Sequence, residues 1–269
     1  MRLRAYFSLA KIHFIRLNQY RVSAINNIIS VMFYGLIQTS ILIAFFRFGN
    51  TAAIQMELHQ AVSYAWLSQA IHSINPVFQD GELQQRIGDG SFVYDLCRPL
   101  NLYGQWFARI LAHRLTPLLL YVPFIAGPAL LLPGLYRMAL PVSFPAFIVF
   151  LVALCAAVLI STAVACILTV LSIRIELGRG LIALLCFIFS FLSGAEVPLP
   201  ILPRSVVTVL RWLPFAGMFD IPCSVYLGLI ALPDSVLFIA RQLGWTVILV
   251  VIGLLLLRQS LRRVVVQGG

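Results

Sequence analysis

Residues 138–173 read MALPVSFPAFIVFLVALCAAVLISTAVACILTVLSI, a run of 36 residues without one charged side chain. A helix needs about 20 apolar residues to cross the hydrocarbon core of a bilayer. The run therefore predicts a transmembrane helix and leaves room for an outer turn near Pro141–Pro145. Its apolar residues follow one another without the alternation of a barrel strand, which favours a helix.

The composition of the whole chain agrees with this run. Of the 269 residues, 61% are hydrophobic and 10% are charged. Soluble domains carry about 25% charged residues, so a soluble fold is excluded. No long hydrophilic stretch remains for a separate enzymatic domain. We therefore expect an all-α integral membrane protein that forms a single transmembrane domain over residues 1–269.

Five further charge-free runs bring the predicted number of transmembrane helices to six. The three longer runs, of 25, 22 and 22 residues, are 22–46, 58–79 and 115–136. The two shorter runs, of 16 residues each, are 180–195 and 242–257. Arg179 and Arg241 border these shorter runs, and each can reach toward an interface while its stem stays in lipid.

The basic residues predict the orientation. With six spans both termini share a side, together with the segments 79–114 and 174–179. This side holds 14 of the 19 basic residues: Arg2, Arg4, Lys11, Arg16, Arg21, Arg86, Arg98, Arg109, Arg114, Arg174, Arg179, Arg258, Arg262 and Arg263. The positive-inside rule therefore predicts that both termini are cytoplasmic. The net charge of +10 then indicates contact with anionic lipid headgroups rather than with nucleic acid.

The first 21 residues predict an amphipathic helix that lies on the inner membrane surface. A signal peptide needs an unbroken apolar core of roughly 7–15 residues, and Lys11 and Arg16 interrupt it here. On a helical wheel one apolar arc of about 100° contains Leu3, Tyr6, Phe7, Ala10, Phe14 and Leu17. The alternative is a cytoplasmic extension of the first span.

The chain has a single lysine, Lys11, and it lies in this N-terminal helix. A P-loop requires a lysine that reaches the nucleotide phosphates, so this chain cannot bind ATP in that way. The cysteines and histidines show no spacing typical of a metal site or a disulfide framework. We expect no cofactor and no metal in this chain. If ATP drives its function, the motor is another polypeptide.

The longest cytoplasmic segment, residues 79–105, contains a short apolar repeat. Phe92, Leu96 and Leu100 recur every four residues after a break at Gly90, which predicts a short helix with one apolar face. Pro99 ends or kinks this helix. Such a helix suits docking into a partner's groove. The alternative is an ordinary interfacial connector.

Two sets of residues resemble type 2 ATP-binding-cassette (ABC) permeases, in the subgroup of exporter permeases whose substrate is uncertain. The first set resembles the cytoplasmic loop of that subgroup: Ile87, Gly90, Phe92, Leu96, Arg98, Pro99 and Leu100. The second resembles its proline-rich external segment: Gly194, Pro198, Pro203, Pro214 and Pro222. Glu196 departs from the pattern, because the family has an apolar residue there.

The resemblance implies a mechanism. Such permeases pair with a copy of themselves or with a sister permease in the bacterial plasma (inner) membrane, above two cytoplasmic ATPase subunits that bind ATP and Mg²⁺. The loop 86–100 would couple to the ATPase, together with the short loop that holds Arg174 and Glu176. The segment 195–234, with its prolines, would form short re-entrant helices and an external gate. The apolar spans suit a hydrophobic or amphipathic cargo.

Two other classes of protein stay open from the sequence. A gradient-driven transporter or channel would need a titratable group deep in the membrane, for which His72 is the candidate within a span. A membrane-embedded hydrolase would need a nucleophile and a base, for example Ser161 with His72. For Glu196 two roles are open: a structural ion pair with Arg204 or Arg211, or a position on the exit pathway.

Overall fold

The computed structural model describes residues 21–49, 54–97, 100–174 and 179–262. Within these ranges all regular structure is helical, as the sequence predicts. The interfacial helix expected over residues 1–21 lies outside the described residues, apart from Arg21, where the first helix begins.

Nine α-helices follow one another in these ranges. They are α1 (Arg21–Phe48), α2 (Leu58–Ala70), α3 (Gly81–Gly88), α4 (Leu102–Leu131), α5 (Phe144–Arg174), α6 (Arg179–Ser193), α7 (Arg204–Trp212), α8 (Asp220–Tyr226) and α9 (Leu232–Leu261). Short 3₁₀-helices form at His72–Ile74, Ser91–Cys97, Gly134–Tyr136, Leu199–Ile201 and Phe215–Gly217.

Four of the described helices, α1, α4, α5 and α9, are long and apolar enough to cross a membrane. Helices α2 and α6, which lie in two of the other charge-free runs, have 13 and 15 residues. At 1.5 Å per residue such helices extend only about 20 Å. The run 58–79 does not form one continuous helix, because α2 ends at Ala70 and a 3₁₀-helix follows. The count of six spans stays a prediction.

Helix α5 lies at the centre of the bundle. In its most apolar stretch 61% of the residues are buried, against 22–33% in the other three long helices. It packs along α9 and also contacts α4 and α8. Its alanines Ala153, Ala157 and Ala163 are fully buried, and small side chains of this kind let neighbouring helices approach closely.

Helix α4 contains three prolines, Pro117, Pro123 and Pro128. A proline lacks the N–H that would bond the carbonyl four residues earlier, so each one interrupts the helical hydrogen bonds. Transmembrane helices tolerate this where neighbouring groups satisfy the backbone. All three lie in the second half of α4, and its first half is free of proline.

The two ends of the bundle differ. At one end, α3 and the Ser91–Cys97 helix pack against the start of α4, the end of α5 and the end of α9. At the other end, the turn before α5 meets the end of α8, where the N–H of Val142 donates to the carbonyl of Tyr226 at 3.3 Å. Residues 81–97 and the end of α9 thus share one side. That this side is cytoplasmic stays a prediction from the charges.

Candidate functional site

An ion pair fixes the start of α3. Asp80 caps this helix by accepting a hydrogen bond from the N–H of Leu83 at 3.1 Å. Arg109 on α4 donates to Asp80 at 2.5 Å and lies 3.2 Å from Glu82. Burial alone would raise the pKa of the Asp80 carboxyl, but the hydrogen bond and charge of Arg109 bring it below its usual value. The local sequence offers one signal for this pair, since an aspartate before a helix is a typical N-cap, but it does not indicate Arg109 as the partner.

A second ion pair closes the turn after α3. Arg86 lies 3.1 Å from Asp95, which belongs to the Ser91–Cys97 helix. Gly90 makes the turn between them with φ of +74°, a conformation that favours glycine, so the predicted break is confirmed. Ile87 is buried beneath the turn. We call residues 81–97, held by these two pairs, the coupling segment.

Phe92 and Leu96 do not share a face. The Phe92 ring is buried against Trp106, with ring centroids 6.2 Å apart, whereas Leu96 is 45% exposed and Tyr94 is 75% exposed. A 3₁₀-helix has about three residues per turn, so positions four apart diverge by roughly 120°. The predicted apolar face through Phe92, Leu96 and Leu100 is therefore wrong. Tyr94 and Leu96 instead form the exposed apolar surface of this segment.

Several predicted coupling residues lie outside the described part. Arg98, Pro99 and Glu176 belong to the stretches that the structure does not describe. Arg174 is the last residue of α5, and the structure describes its backbone only. Leu100 is half-buried just before α4.

The second predicted region begins where α6 ends. Gly194 has φ of +85°, and a Cβ at this position would lie 2.5 Å from the Tyr64 hydroxyl oxygen, so only glycine fits. Prolines then stand at or near helix starts, where no backbone donor is needed. They are Pro198 before the Leu199–Ile201 helix, Pro203 before α7, Pro214 before the Phe215–Gly217 helix and Pro222 in the first turn of α8.

Arg211 on α7 pairs with Asp220 on α8. The Arg211 Nε donates to Asp220 Oδ2 at 2.7 Å, and the carboxylate is completely buried. Arg241 on α9 donates to the carbonyl of Arg211 at 3.1 Å and stacks over the ring of Trp212, 4.4 Å from its centroid. This arginine therefore reaches a neighbouring helix, and α9 extends well beyond the predicted run 242–257.

Glu196 has neither of the predicted arginine partners. Its Oε2 accepts from the Tyr34 hydroxyl and its Oε1 accepts from the Ser190 hydroxyl, both at 2.9 Å. Gln38 donates to its backbone carbonyl at 2.8 Å. The expected ion pair with Arg204 or Arg211 is wrong, because Arg211 is engaged by Asp220 and hydroxyl groups on α1 and α6 hold the carboxylate.

These hydrogen bonds belong to a wider polar network. Asn75 donates to the Ser190 hydroxyl at 2.8 Å, and Gln69 donates to Gln38 at 2.9 Å. The network borders a cavity of about 270 Å³ between α1, the end of α2 and the turn after α6. We call it the polar cavity; its lining includes Tyr34, Gln69, His72, Asn75, Phe78 and Glu196. Polar groups inside a membrane bundle are costly and usually functional.

The candidate hydrolase pair is not assembled. The Ser161 hydroxyl donates to the carbonyl of Ile74, and the His72 ring packs on Phe78 with centroids 4.4 Å apart. Serines of transmembrane helices usually bond a carbonyl of their own helix, whereas Ser161 uses its hydroxyl to join α5 to the His72–Ile74 helix. In the described ranges no three His, Cys, Asp or Glu side chains come together as a metal site.

A family model described as ABC-2 family transporter protein matches residues 61–268, which is 208 of the 269 residues. The match includes the coupling segment, the polar residues after α6 and the seven helices from α3 to α9. No match to the chain was found among curated proteins.

Proposed function

The chain belongs to the ABC-2 transporter family, and from this premise we propose that it is the permease subunit of an ATP-driven exporter in a bacterial plasma membrane. ATP and Mg²⁺ bind on separate cytoplasmic ATPase subunits. The permease moves a hydrophobic or amphipathic molecule by alternating access, and both of its termini are cytoplasmic.

One observation carries this proposal: the coupling segment shares one apolar cluster with the ends of three long helices. Its buried residues Leu83, Ile87 and Phe92 belong to this cluster together with Trp106 of α4, Val170 of α5 and Leu257 of α9. A displacement of this segment would therefore move the ends of all three helices together.

The coupling segment also has a surface on which a partner can dock. Tyr94 and Leu96 are exposed, while the Asp80–Arg109 pair holds the segment on the bundle and the Arg86–Asp95 pair closes its internal turn. Binding energy at interfaces is concentrated in a few aromatic and arginine anchors. We infer that Tyr94 and Leu96 enter a groove of the ATPase, and that closure of the ATPase pair pushes the segment against α4, α5 and α9.

On the opposite side, residues 195–234 act as the external gate in this proposal. Helices α7 and α8 are short, and the Arg211–Asp220 pair joins them. Non-helical backbone at membrane depth is tolerated where protein buries it or where it lines a cavity. The gate residues are Gly194, Glu196, Pro198, Pro203, Pro214 and Pro222.

A second permease, either a copy or a sister chain, would complete the transporter. In the described part, α1 exposes an apolar surface that includes Phe33, Ile37 and Ile41. Lipid or the second permease covers this surface in the membrane.

The proposal is tested by purifying the tagged permease from native membranes in mild detergent. Recovery of a P-loop ATPase in equal molar amount, with ATP hydrolysis by the complex, is the expected result. A permease that is well folded and never retains an ATPase would overturn the proposal. A Leu96→Glu variant adds a charge to the docking surface, and Val209→Glu on the far side is its control.

One observation favours a second candidate, a gradient-driven transporter. The Glu196 carboxylate lies in the polar cavity, and a titratable group inside the membrane is what proton or cation coupling requires. Vesicles that contain the permease alone separate the two candidates. Uptake driven by an imposed pH gradient without ATPase would support the second candidate and contradict the first.

A further inference from the structure

We propose that the polar cavity binds the ammonium group of an amphipathic cation, and that this group is the head of the transported molecule. This inference rests on the proposed function, because it names the class of substrate that the permease moves. It comes from the acceptors, the aromatic rings and the size of the cavity.

The cavity offers hydrogen-bond acceptors and negative charge. Glu196 is the one carboxylate among the described lining residues. Gln69 is 2% exposed, and no donor in the described part reaches its Oε1, while its Nε2 is bound to Gln38. A buried acceptor without a donor is unfavourable, so a ligand that carries N–H groups or positive charge is stabilised there.

Aromatic rings line the same cavity. Tyr34, Phe78 and Phe219 are among its lining residues, and His72 packs on Phe78. The faces of such rings attract cations, and groups of rings are a usual means of binding alkylated ammonium ions. A carboxylate combined with several aromatic rings is typical of ammonium recognition and unsuited to an anion.

The nearby arginines do not line the cavity. Arg211 is bound to Asp220, and the buried Arg114 donates to the backbone carbonyls of Ser73 and Asn75. The Glu196 carboxylate is held by neutral hydroxyl groups alone, so its charge is not cancelled by an adjacent protein cation in the described part.

The size of the cavity limits what it can hold. Pockets that enclose a drug-sized molecule have about 300–1,000 Å³, so 270 Å³ accommodates only a headgroup. The cavity opens through α1, where Asn27, Ser30 and Tyr34 are exposed beside the apolar side chains Phe33 and Ile37. The apolar part of the molecule would then lie along α1. An amphipathic cation meets both requirements, because its charged headgroup fits the cavity and its apolar part can lie along α1.

The test uses the purified complex, or the permease if it is isolated alone, in nanodiscs of phosphatidylglycerol. The probe is radiolabelled benzyltrimethylammonium, and the competitors are choline and its neutral isostere 3,3-dimethylbutan-1-ol. We expect saturable binding that choline displaces and the neutral alcohol does not. Equal displacement by the alcohol, or no saturable binding, would overturn the inference.

Variants locate the binding. Glu196→Gln keeps the size and removes the charge, and we expect about tenfold weaker binding because the attraction between unlike charges is lost. Glu196→Asp should bind nearly as the wild type, and Glu57→Gln, at an exposed glutamate just before α2, should not change binding. Phe78→Leu removes a ring and should weaken binding several-fold even if Glu196→Gln does not fold. Wild-type binding by both Glu196→Gln and Phe78→Leu would contradict the proposed site.

A further arm identifies the source of the ammonium group. If nanodiscs that contain phosphatidylcholine abolish probe binding, a lipid headgroup occupies the cavity; if binding persists, the ligand is a soluble amphipathic cation. Both results support an ammonium site. ATPase recovery is measured on the same samples. A complex that keeps its ATPase and fails to bind the probe overturns this inference and leaves the proposed function intact.

Discussion

The Arg211 guanidinium holds the Asp220 carboxylate across the turn between α7 and α8, with Nε and Oδ2 2.7 Å apart. Arg211 also donates to the Ser224 hydroxyl at 3.0 Å, and Ser224 donates to Asp220 at 3.2 Å. The carboxylate is fully buried, and these partners replace the water that would otherwise solvate it. The short helices on this side of the bundle are thus fixed by polar contacts rather than by their own length.

Arg211→Gln should strongly destabilise the protein, because it leaves Asp220 buried without its cation. Removing one partner of a buried ion pair costs about 3–5 kcal/mol. The measurement is thermal unfolding in detergent. Arg204→Gln is the matched control, since Arg204 is an exposed arginine on the same helix and its loss should leave stability nearly unchanged. Equal effects of the two changes would contradict the prediction.

Phe92→Ala should lower the stability of the protein, whereas Leu96→Ala should reduce its binding to the ATPase. Phe92 is buried against Trp106, and truncating a buried phenylalanine costs about 3–5 kcal/mol of unfolding free energy. Leu96 is exposed, so its truncation should preserve stability and reduce recovery of the ATPase. Thermal unfolding and co-purification are measured on both variants. If Leu96→Ala retains the ATPase like the wild type, Leu96 is not part of the docking surface.

Asp80→Asn should loosen the coupling segment at neutral pH by about 1–3 kcal/mol, because it weakens a charged hydrogen bond with Arg109. The pKa of Asp80 is lowered from its ordinary value of 3.8 in the folded protein. The carboxylate therefore stabilises the fold above pH 3.8, and this stabilisation is lost as the pH falls through the lower folded value. The stability difference between wild type and variant should accordingly shrink below pH 3.8. A constant difference down to pH 2 would show that the lost charge is not the cause.

Cysteine labelling tests the predicted orientation. In a background without the native cysteines, Arg262→Cys after α9 should resist an impermeant thiol reagent in intact cells. Val209→Cys on α7 is 62% exposed and should be labelled from outside. In inverted membrane vesicles the pattern should reverse, so that Arg262→Cys reacts and Val209→Cys does not, and both should react after lysis. Labelling of Arg262→Cys in intact cells would reverse the topology.

The positions of charged residues predicted the long helices well where charged residues alone set the ends of a helix. The run 138–173 forms α5, because no polar group in it is strong enough to end a helix. In the run 58–79 the helix ends at Ala70, although no formal charge is present. Serine, asparagine and proline between Ser73 and Pro76 bond to the backbone or interrupt it, and a count of charges does not register them.

The partners of Glu196 could not be predicted from local sequence. Tyr34 lies 162 residues away and is brought to Glu196 by the packing of α1 against the turn after α6. Sequence proximity favoured Arg204 and Arg211, but Asp220 is closer to Arg211 in the folded chain. A tyrosine, two glutamines and an asparagine in otherwise apolar runs were the available signal. Their side chains meet at one cavity.

Because all three prolines of α4 lie in its second half, the helix has a stiff first half and a more flexible second half. Its first half, from Leu102 to Thr116, carries Trp106 and Arg109, through which it is attached to the coupling segment. Beyond Pro117 the backbone has fewer internal bonds and bends more readily. A push on α3 should therefore swing the first half as a stiff lever, while the second half yields and keeps its contacts at the far end. ATP-driven movement of the proposed ATPase would then rotate the first half of α4 rather than shift the whole helix along its axis.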